Sequence, residues 1–109
     1  MVMTHGPPLF REHSNYNLDV NQDGKNCGCE KLASAIRRVK PRLHCFGHIH
    51  EGCGVMKMDW GADESTDAAS DLNSRKDCLR VDGLAEGKET LFVNAAVSDC
   101  GGWLIDLDL

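Results

Sequence analysis

Residues 43–50 read Leu-His-Cys-Phe-Gly-His-Ile-His, a short run with strand character that ends in a glycine and two histidines. If residues 47–50 are extended, His48 and His50 project from one face of the chain, about 6–7 Å apart. Neutral imidazole is a common ligand of zinc, iron, manganese and nickel. The run therefore predicts a strand that delivers two metal ligands; the alternative is that one histidine caps the strand and the other is solvated.

A second apolar strand end carries a third histidine. Residues 1–4 read Met-Val-Met-Thr, and His5 and Gly6 follow, before two prolines that end the strand because proline lacks an N–H and fixes φ. Ligand sites of parallel sheets gather where strands end. The sequence therefore predicts that His5, His48 and His50 converge on a divalent ion.

The rest of the chain predicts a helix packed on a sheet of about five strands, an α/β fold in one domain over residues 1–109. Apolar residues at helical spacing predict a helix over residues 29–40, which Pro41 ends. Besides the two strands above, strands are predicted at 55–60, 90–97 and 103–109. Residues 61–88, rich in Asp, Ser, Asn and Gly, are predicted to be a flexible loop insertion with a weak helical turn near 68–72.

Composition excludes several classes of protein. The 109 residues carry 12 Lys+Arg against 17 Asp+Glu, a net charge of −5, which argues against nucleic-acid binding and against a polybasic membrane surface. No apolar run reaches the roughly 20 residues of a membrane-spanning helix, and the first residues do not resemble a secretory signal. We therefore expect a cytoplasmic protein whose six cysteines are thiols.

A second candidate site lies in an Asn/Asp-rich segment. Asp19, Asn21, Asp23 and Glu30 follow the Asp-x-Asn-x-Asp-Gly-x5-Glu pattern of a calcium loop. The preceding residues, 10–18, lack the apolar stripe of the entering helix that an EF-hand needs. Two interpretations stay open, a polar turn that leads into the helix and a lone calcium loop. The second would make the chain a non-catalytic calcium-binding or interaction module.

Four segments, residues 1–8, 28–32, 41–52 and 92–96, together resemble the carboxy-terminal half of a calcineurin-like metallophosphoesterase. The similarity is strongest to the compact branch with a Thr-His-Gly-Pro-Pro loop and a Phe-Gly-His-Ile-His strand end. This resemblance implies a partial metallophosphoesterase-like αββα sandwich whose amino-terminal half is missing. It also implies a centre of two divalent ions (Mn, Fe or Zn), at which hydroxide attacks a phosphomono- or phosphodiester of a small molecule or nucleotide.

By motif, the resemblance implies that His5 and His48 bind one ion and His50 the other, with Thr4, Gly47 and Asn94 as structural supports. The family's Asp-x-His, Gly-Asp-x-x-Asp and Gly-Asn-His segments do not occur in this sequence. We therefore expect a fragment with little activity alone, no complete catalytic set, and self-association through the unpaired strand edge at residues 1–4.

Overall fold

A computed structural model describes residues 1–11, 16–61, 69–71, 79–81, 87–96 and 105–107 of the chain. The described residues form one α-helix and seven strands. They are β1 (Val2–Met3), α1 (Glu30–Val39), β2 (Leu43–Phe46), β3 (Gly54–Asp59), β4 (Ala69–Asp71), β5 (Leu79–Val81), β6 (Glu89–Asn94) and β7 (Ile105–Leu107).

Helix α1 begins and ends where its residues favour it. The Cys29 thiol caps the first turn by accepting a hydrogen bond from the Leu32 N–H at 3.4 Å. Glu30 in the first turn and two arginines in the last turn complement the helix dipole. The helix ends at Lys40, which is left-handed at φ 51° and donates its N–H to the Ile36 carbonyl at 2.7 Å. The predicted helix is confirmed.

The core lies between α1 and the sheet. Ala33 and Ile36 are the buried residues of the helix, and they belong to the same apolar cluster as Phe92 of β6. Three further rings surround Phe92 edge-on with centroids 5.4 to 6.2 Å away, those of Phe10, Tyr16 and Trp60. Phe10, Tyr16 and Phe92 are buried and Trp60 is partly buried. A fully buried aromatic side chain contributes about 1.5–3 kcal/mol, so this cluster holds the segments on either side of α1 against the sheet.

The main sheet has the order β1-β2-β6-β3-β4. Strands β1, β2 and β6 are parallel, whereas β3 runs antiparallel to both β6 and β4. The carboxyl ends of these three parallel strands therefore lie together along one edge of the sheet, the edge that runs across the strand ends. Backbone hydrogen bonds continue past the strand ends there, from the Gly47 N–H to the His5 carbonyl at 3.0 Å and from the Ala95 N–H to the Phe46 carbonyl at 2.8 Å.

The mixed sheet and the helix confirm the α/β class, while the metallophosphoesterase-like sandwich stays a prediction. The helical turn expected near 68–72 is wrong for residues 69–71, which form β4 because the open edge of β3 supplies hydrogen-bond partners. Strand β5 also falls within the predicted insertion and pairs in parallel with β7. The other residues of 62–86 lie outside the described part, so the flexible insertion stays a prediction.

The sequence predicted that no helix spans a membrane and that all six cysteines are thiols. In the described part of the chain, no helix combines the length and the apolar character that crossing a membrane requires. Cys27, Cys29 and Cys45 are free thiols, as expected. Cys53 is disulfide-bonded, so the expectation that all six cysteines are thiols is wrong at that position.

Candidate functional site

His5 and His48 lie against each other at the edge where the parallel strands end. Nε2 of His5 is 3.1 Å from Nδ1 of His48, and the ring centroids are 4.6 Å apart. One ring nitrogen donates a hydrogen bond and the other accepts it. Both side chains are exposed to solvent. Two strand ends separated by 43 positions in the chain thus present their imidazoles at one point.

The backbone at His48 explains how its ring reaches His5. His48 has a φ of 72°, in the left-handed region that residues other than glycine rarely adopt. The Ile49 N–H donates to the Gly47 carbonyl at 2.8 Å, which closes a three-residue turn centred on His48. A positive φ at the centre of such a turn is the rare, strained form. The chain therefore turns sharply at His48 instead of continuing as a strand.

His50 follows this turn in the chain and does not continue an extended strand. Residues 47–50 are not extended as predicted, because His48 is left-handed and His50 begins a short 3-10 turn over His50–Gly52. His50 is exposed, and among the described residues no three His, Cys, Asp or Glu side chains are grouped so as to hold a metal ion. The described structure thus brings His5 and His48 together and does not complete a three-ligand group with His50.

The His5 and His48 nitrogens fit the first requirement of a shared ion. Two nitrogens bound to one tetrahedral zinc at 2.0–2.1 Å lie roughly 3.3 Å apart. The observed separation of 3.1 Å is close to that value. In the hydrogen-bonded pair one of these two nitrogens carries the shared proton. When that ring changes to its other tautomer, the proton moves to the second ring nitrogen, and both facing nitrogens then carry lone pairs that could ligate a divalent ion.

Asn94 supports this edge from the end of β6. Its side chain is fully buried, and its amide nitrogen donates to the Leu18 and Ile49 carbonyls, each at 2.8 Å. Its amide oxygen accepts from the Ala96 N–H at 3.1 Å. Since Ile49 stands between His48 and His50, Asn94 contacts the peptide that links them, consistent with the supporting role that the family resemblance implied.

His44 was missed in the sequence analysis as a functional residue. It lies in β2, its exposed fraction is 0%, and its Nε2 is 2.9 Å from the Thr4 hydroxyl oxygen. Burial lowers the pKa of His44 from 6.5 to about 4, so the ring is neutral at pH 7. The signal in the sequence was a histidine inside an apolar strand, beside the strand that carries His5.

The calcium-loop pattern folds into a polar turn that uses its own oxygens. The Asp19 carboxylate is fully buried and accepts from the Asn26 amide at 2.9 Å and from the Gly28 N–H at 3.1 Å. The Asn21 side-chain oxygen accepts from the N–H groups of Asp23 and Lys25, at 2.9 and 3.0 Å.

Glu30, the last residue of the pattern, forms an ion pair with Arg11. Calcium takes six to eight oxygen ligands. Here the side-chain oxygens of Asp19 and Asn21 accept hydrogen bonds within the turn that leads into α1. The calcium-binding alternative is therefore not favoured.

Sequence comparison finds proteins that are similar to about half of this chain. The Metallophosphoesterase domain-containing protein 1 of Homo sapiens is 50% identical over 58 residues, which cover 51% of this chain and 16% of that protein. A UPF0046 protein of Caenorhabditis elegans is 45% identical over 56 residues, which cover 50% of this chain and 19% of that protein. The resemblance found in the sequence is confirmed.

A further match has a different name. A protein called probable rhamnogalacturonate lyase C, of Emericella nidulans, is 33% identical over 110 residues, which cover 88% of this chain and 10% of that protein. The chain thus spans less than a fifth of the length of each of these relatives. No protein-family model matches the chain. No solved structure matches it either.

Proposed function

We propose that this chain forms the histidine-bearing part of a metal-dependent phosphoester hydrolase. In this proposal His5 and His48 bind one divalent ion, Mn, Fe or Zn, and His50 contributes to a second ion in the complete centre. The observation that carries the proposal is the 3.1 Å contact between His5 and His48, formed by residues from two parallel strand ends. The similarity of half the chain to metallophosphoesterase domain-containing proteins supports the reaction class.

The residues of this chain bind and orient rather than transfer protons in this proposal. A divalent ion held here would polarise a phosphoryl oxygen and make a water molecule more acidic. The two imidazoles hold it from separate strands, and the short turn at His48 aims one of them. The substrate would be a phosphomonoester or phosphodiester of a small molecule or nucleotide, since the net charge of −5 disfavours nucleic acid.

Charge limits what the chain does alone. Three neutral imidazoles leave the repulsion between two dications uncompensated, and the carboxylate segments of the family do not occur in this sequence. The chain alone is therefore expected to bind one ion and to hydrolyse phosphodiesters near the background rate.

We also propose where the protein is located and how it associates with itself. A cytoplasmic location is proposed, as expected from the sequence; the disulfide at Cys53 departs from that expectation, since the cytosol keeps most thiols reduced. Association between chains is proposed through β1, which lies at the edge of the sheet. Met3 in β1 and Met1 just before it are 72% and 79% exposed.

The test is a metal titration of the purified chain with Zn²⁺ and Mn²⁺ by calorimetry. His5→Ala and His48→Ala should each abolish the binding isotherm, and His50→Ala should weaken it less. Asp23→Asn is the control, because it changes an acidic residue of the polar loop and leaves the histidine pair unchanged. An isotherm unaltered by loss of both His5 and His48 would refute the proposal. Turnover of an aryl phosphodiester with Mn²⁺ well above background would contradict the expectation about the missing carboxylates.

A further inference from the structure

We infer that Thr4 and His44 are a positioning pair that fixes the backbone on both sides of His5 and thereby holds its imidazole against His48. The inference deepens the proposed function and rests on it for the role of His5. Neither residue is a metal ligand in the proposed function. The ligands that the family resemblance implies do not include His44.

The hydrogen bonds determine the protonation of His44. The Thr4 hydroxyl donates its single proton to the Gly6 carbonyl at 2.8 Å. It can therefore only accept in its 2.9 Å contact with Nε2 of His44. His44 is thus the Nε2–H tautomer, and Nδ1 carries the lone pair.

Hydrogen bonds hold the backbone on both sides of His5. The Thr4 side chain spans His5 and bonds to the residue that follows it, while its own N–H donates to the Cys45 carbonyl at 3.0 Å. The His5 carbonyl in turn accepts from the Gly47 N–H at 3.0 Å. The backbone is thus held by hydrogen bonds at the Thr4 N–H before His5 and at the His5 and Gly6 carbonyls after it, so the exposed imidazole projects from a fixed backbone.

Packing holds the other end of the pair. His44 is fully buried, and its ring meets the edges of Phe46 and Phe92 at centroid distances of 5.1 and 5.6 Å. Its Nδ1 has no hydrogen-bond partner in the described part of the chain. A buried polar atom without a hydrogen-bond partner lowers the stability of the folded protein. A histidine at this core position is therefore destabilising unless its other ring nitrogen has a function.

A ligand fixed before the ion arrives loses less conformational entropy when it binds. Removal of the Thr4 hydroxyl should therefore weaken binding at His5 without removing any ligand. Partners of metal-ligating histidines typically change metal affinity by about 10-fold to 100-fold when mutated, and we expect the lower end of that range here because the pair acts through the backbone.

The experiment compares Thr4→Val, which keeps the shape and removes the hydroxyl, with Thr4→Ser, which keeps the hydroxyl. Zn²⁺ affinity is measured by calorimetry, and the imidazole nitrogen resonances of His5, His44 and His48 are recorded by NMR in the metal-free protein. We expect Thr4→Val to lose about 10-fold in affinity and to shift all three sets of resonances, and Thr4→Ser to restore both. Wild-type affinity and unshifted His5 and His48 resonances in Thr4→Val would overturn the inference.

A second pair of variants covers a failure of Thr4→Val to fold. His44→Gln can place an amide N–H near the position of Nε2, whereas His44→Asn cannot, so only the Gln variant should retain the wild-type His5 resonances. Equal His5 resonances in these two variants would overturn the inference. If the wild-type chain binds no Zn²⁺, the proposed function fails, while the metal-free NMR comparison still decides whether Thr4 and His44 position His5.

Discussion

The side chain of Asn94 is bonded to the peptide of Ile49, because its amide nitrogen lies 2.8 Å from that carbonyl oxygen. Ile49 separates the two histidines of the His-x-His segment. The same amide nitrogen also bonds to Leu18, so one buried residue joins the end of β6 to two loops. Asn94 therefore ties the candidate site to the core of the fold.

Replacement of Asn94 by Leu should destabilise the protein by about 3 kcal/mol, since it removes three buried hydrogen bonds, those to the Leu18 carbonyl, the Ile49 carbonyl and the Ala96 N–H. Urea unfolding followed by circular dichroism measures the change. The matched control is Asn17→Ala, at an exposed position, which should alter stability by less than about 0.5 kcal/mol. Equal unfolding midpoints for the two variants would contradict the role assigned to Asn94.

The positive φ of His48 predicts that two substitutions there differ in stability although both remove metal binding. Gly at this position relieves the strain of the left-handed backbone, whereas Ala does not. His48→Gly should therefore be more stable than His48→Ala by about 1 kcal/mol, and neither should bind Zn²⁺. Thermal unfolding and calorimetry measure the two properties. A His48→Ala variant as stable as His48→Gly would show that this turn relaxes in solution.

Gly52 allows the chain after His50 to lie against the segment around Leu18. A Cβ at Gly52 would come within 2.5 Å of the Leu18 carbonyl oxygen, closer than such atoms approach. Gly52→Ala should therefore lower the melting temperature by several degrees, as expected for a loss of about 1–3 kcal/mol. Gly6→Ala is the control, because a Cβ there meets no atom within 4 Å. The same melting temperature for both variants would contradict the close approach.

The lowered pKa of His44 predicts an acid-dependent loss of stability. Unfolded histidine takes up its proton near pH 6.5, while folded His44 does so only near pH 4. The unfolded state therefore binds more protons between these values, so stability is complete above pH 6.5 and falls as the pH drops towards 4. The loss from this group amounts to about 3 kcal/mol.

The measurement is the urea midpoint between pH 7 and pH 4 for the wild type and for His44→Gln. The variant lacks this titration, so its midpoint should fall less steeply with acid. Parallel curves would show that His44 is not held neutral by burial.

The polar turn at Asp19 predicts no response to calcium. Both carboxylate oxygens of Asp19 already accept hydrogen bonds inside the loop, so 1 mM Ca²⁺, chosen as roughly the weak end of protein calcium sites, should leave the melting temperature unchanged. Asp19→Asn should lower stability by about 1–3 kcal/mol with or without calcium, because an amide nitrogen cannot accept from Asn26 or Gly28. A calcium-dependent rise in melting temperature that Asp19→Asn and Glu30→Gln remove would revive the calcium-loop alternative.

Local signals in the sequence were enough for much of the fold. Apolar residues at helical spacing before Pro41 predicted α1, and alternating or continuous apolar runs predicted five of the seven strands. The structure confirms these elements because each depends on residues close in the chain. The three candidate histidines were also found from the sequence, since glycine and proline mark the strand ends beside them.

Only tertiary structure decided which of those residues meet. Parallel pairing of β1 with β2 places His5 beside His48. The turn at His48 and the 3-10 turn that His50 begins replace the extended chain on which the predicted alignment of His48 and His50 depended. The spacing pattern that matches a calcium site likewise did not indicate that Asp19 is buried and accepts hydrogen bonds from Asn26 and Gly28. Short-range periodicity determines where strands and helices form, whereas contacts between distant segments depend on packing, register and hydrogen-bond partners that no single segment contains.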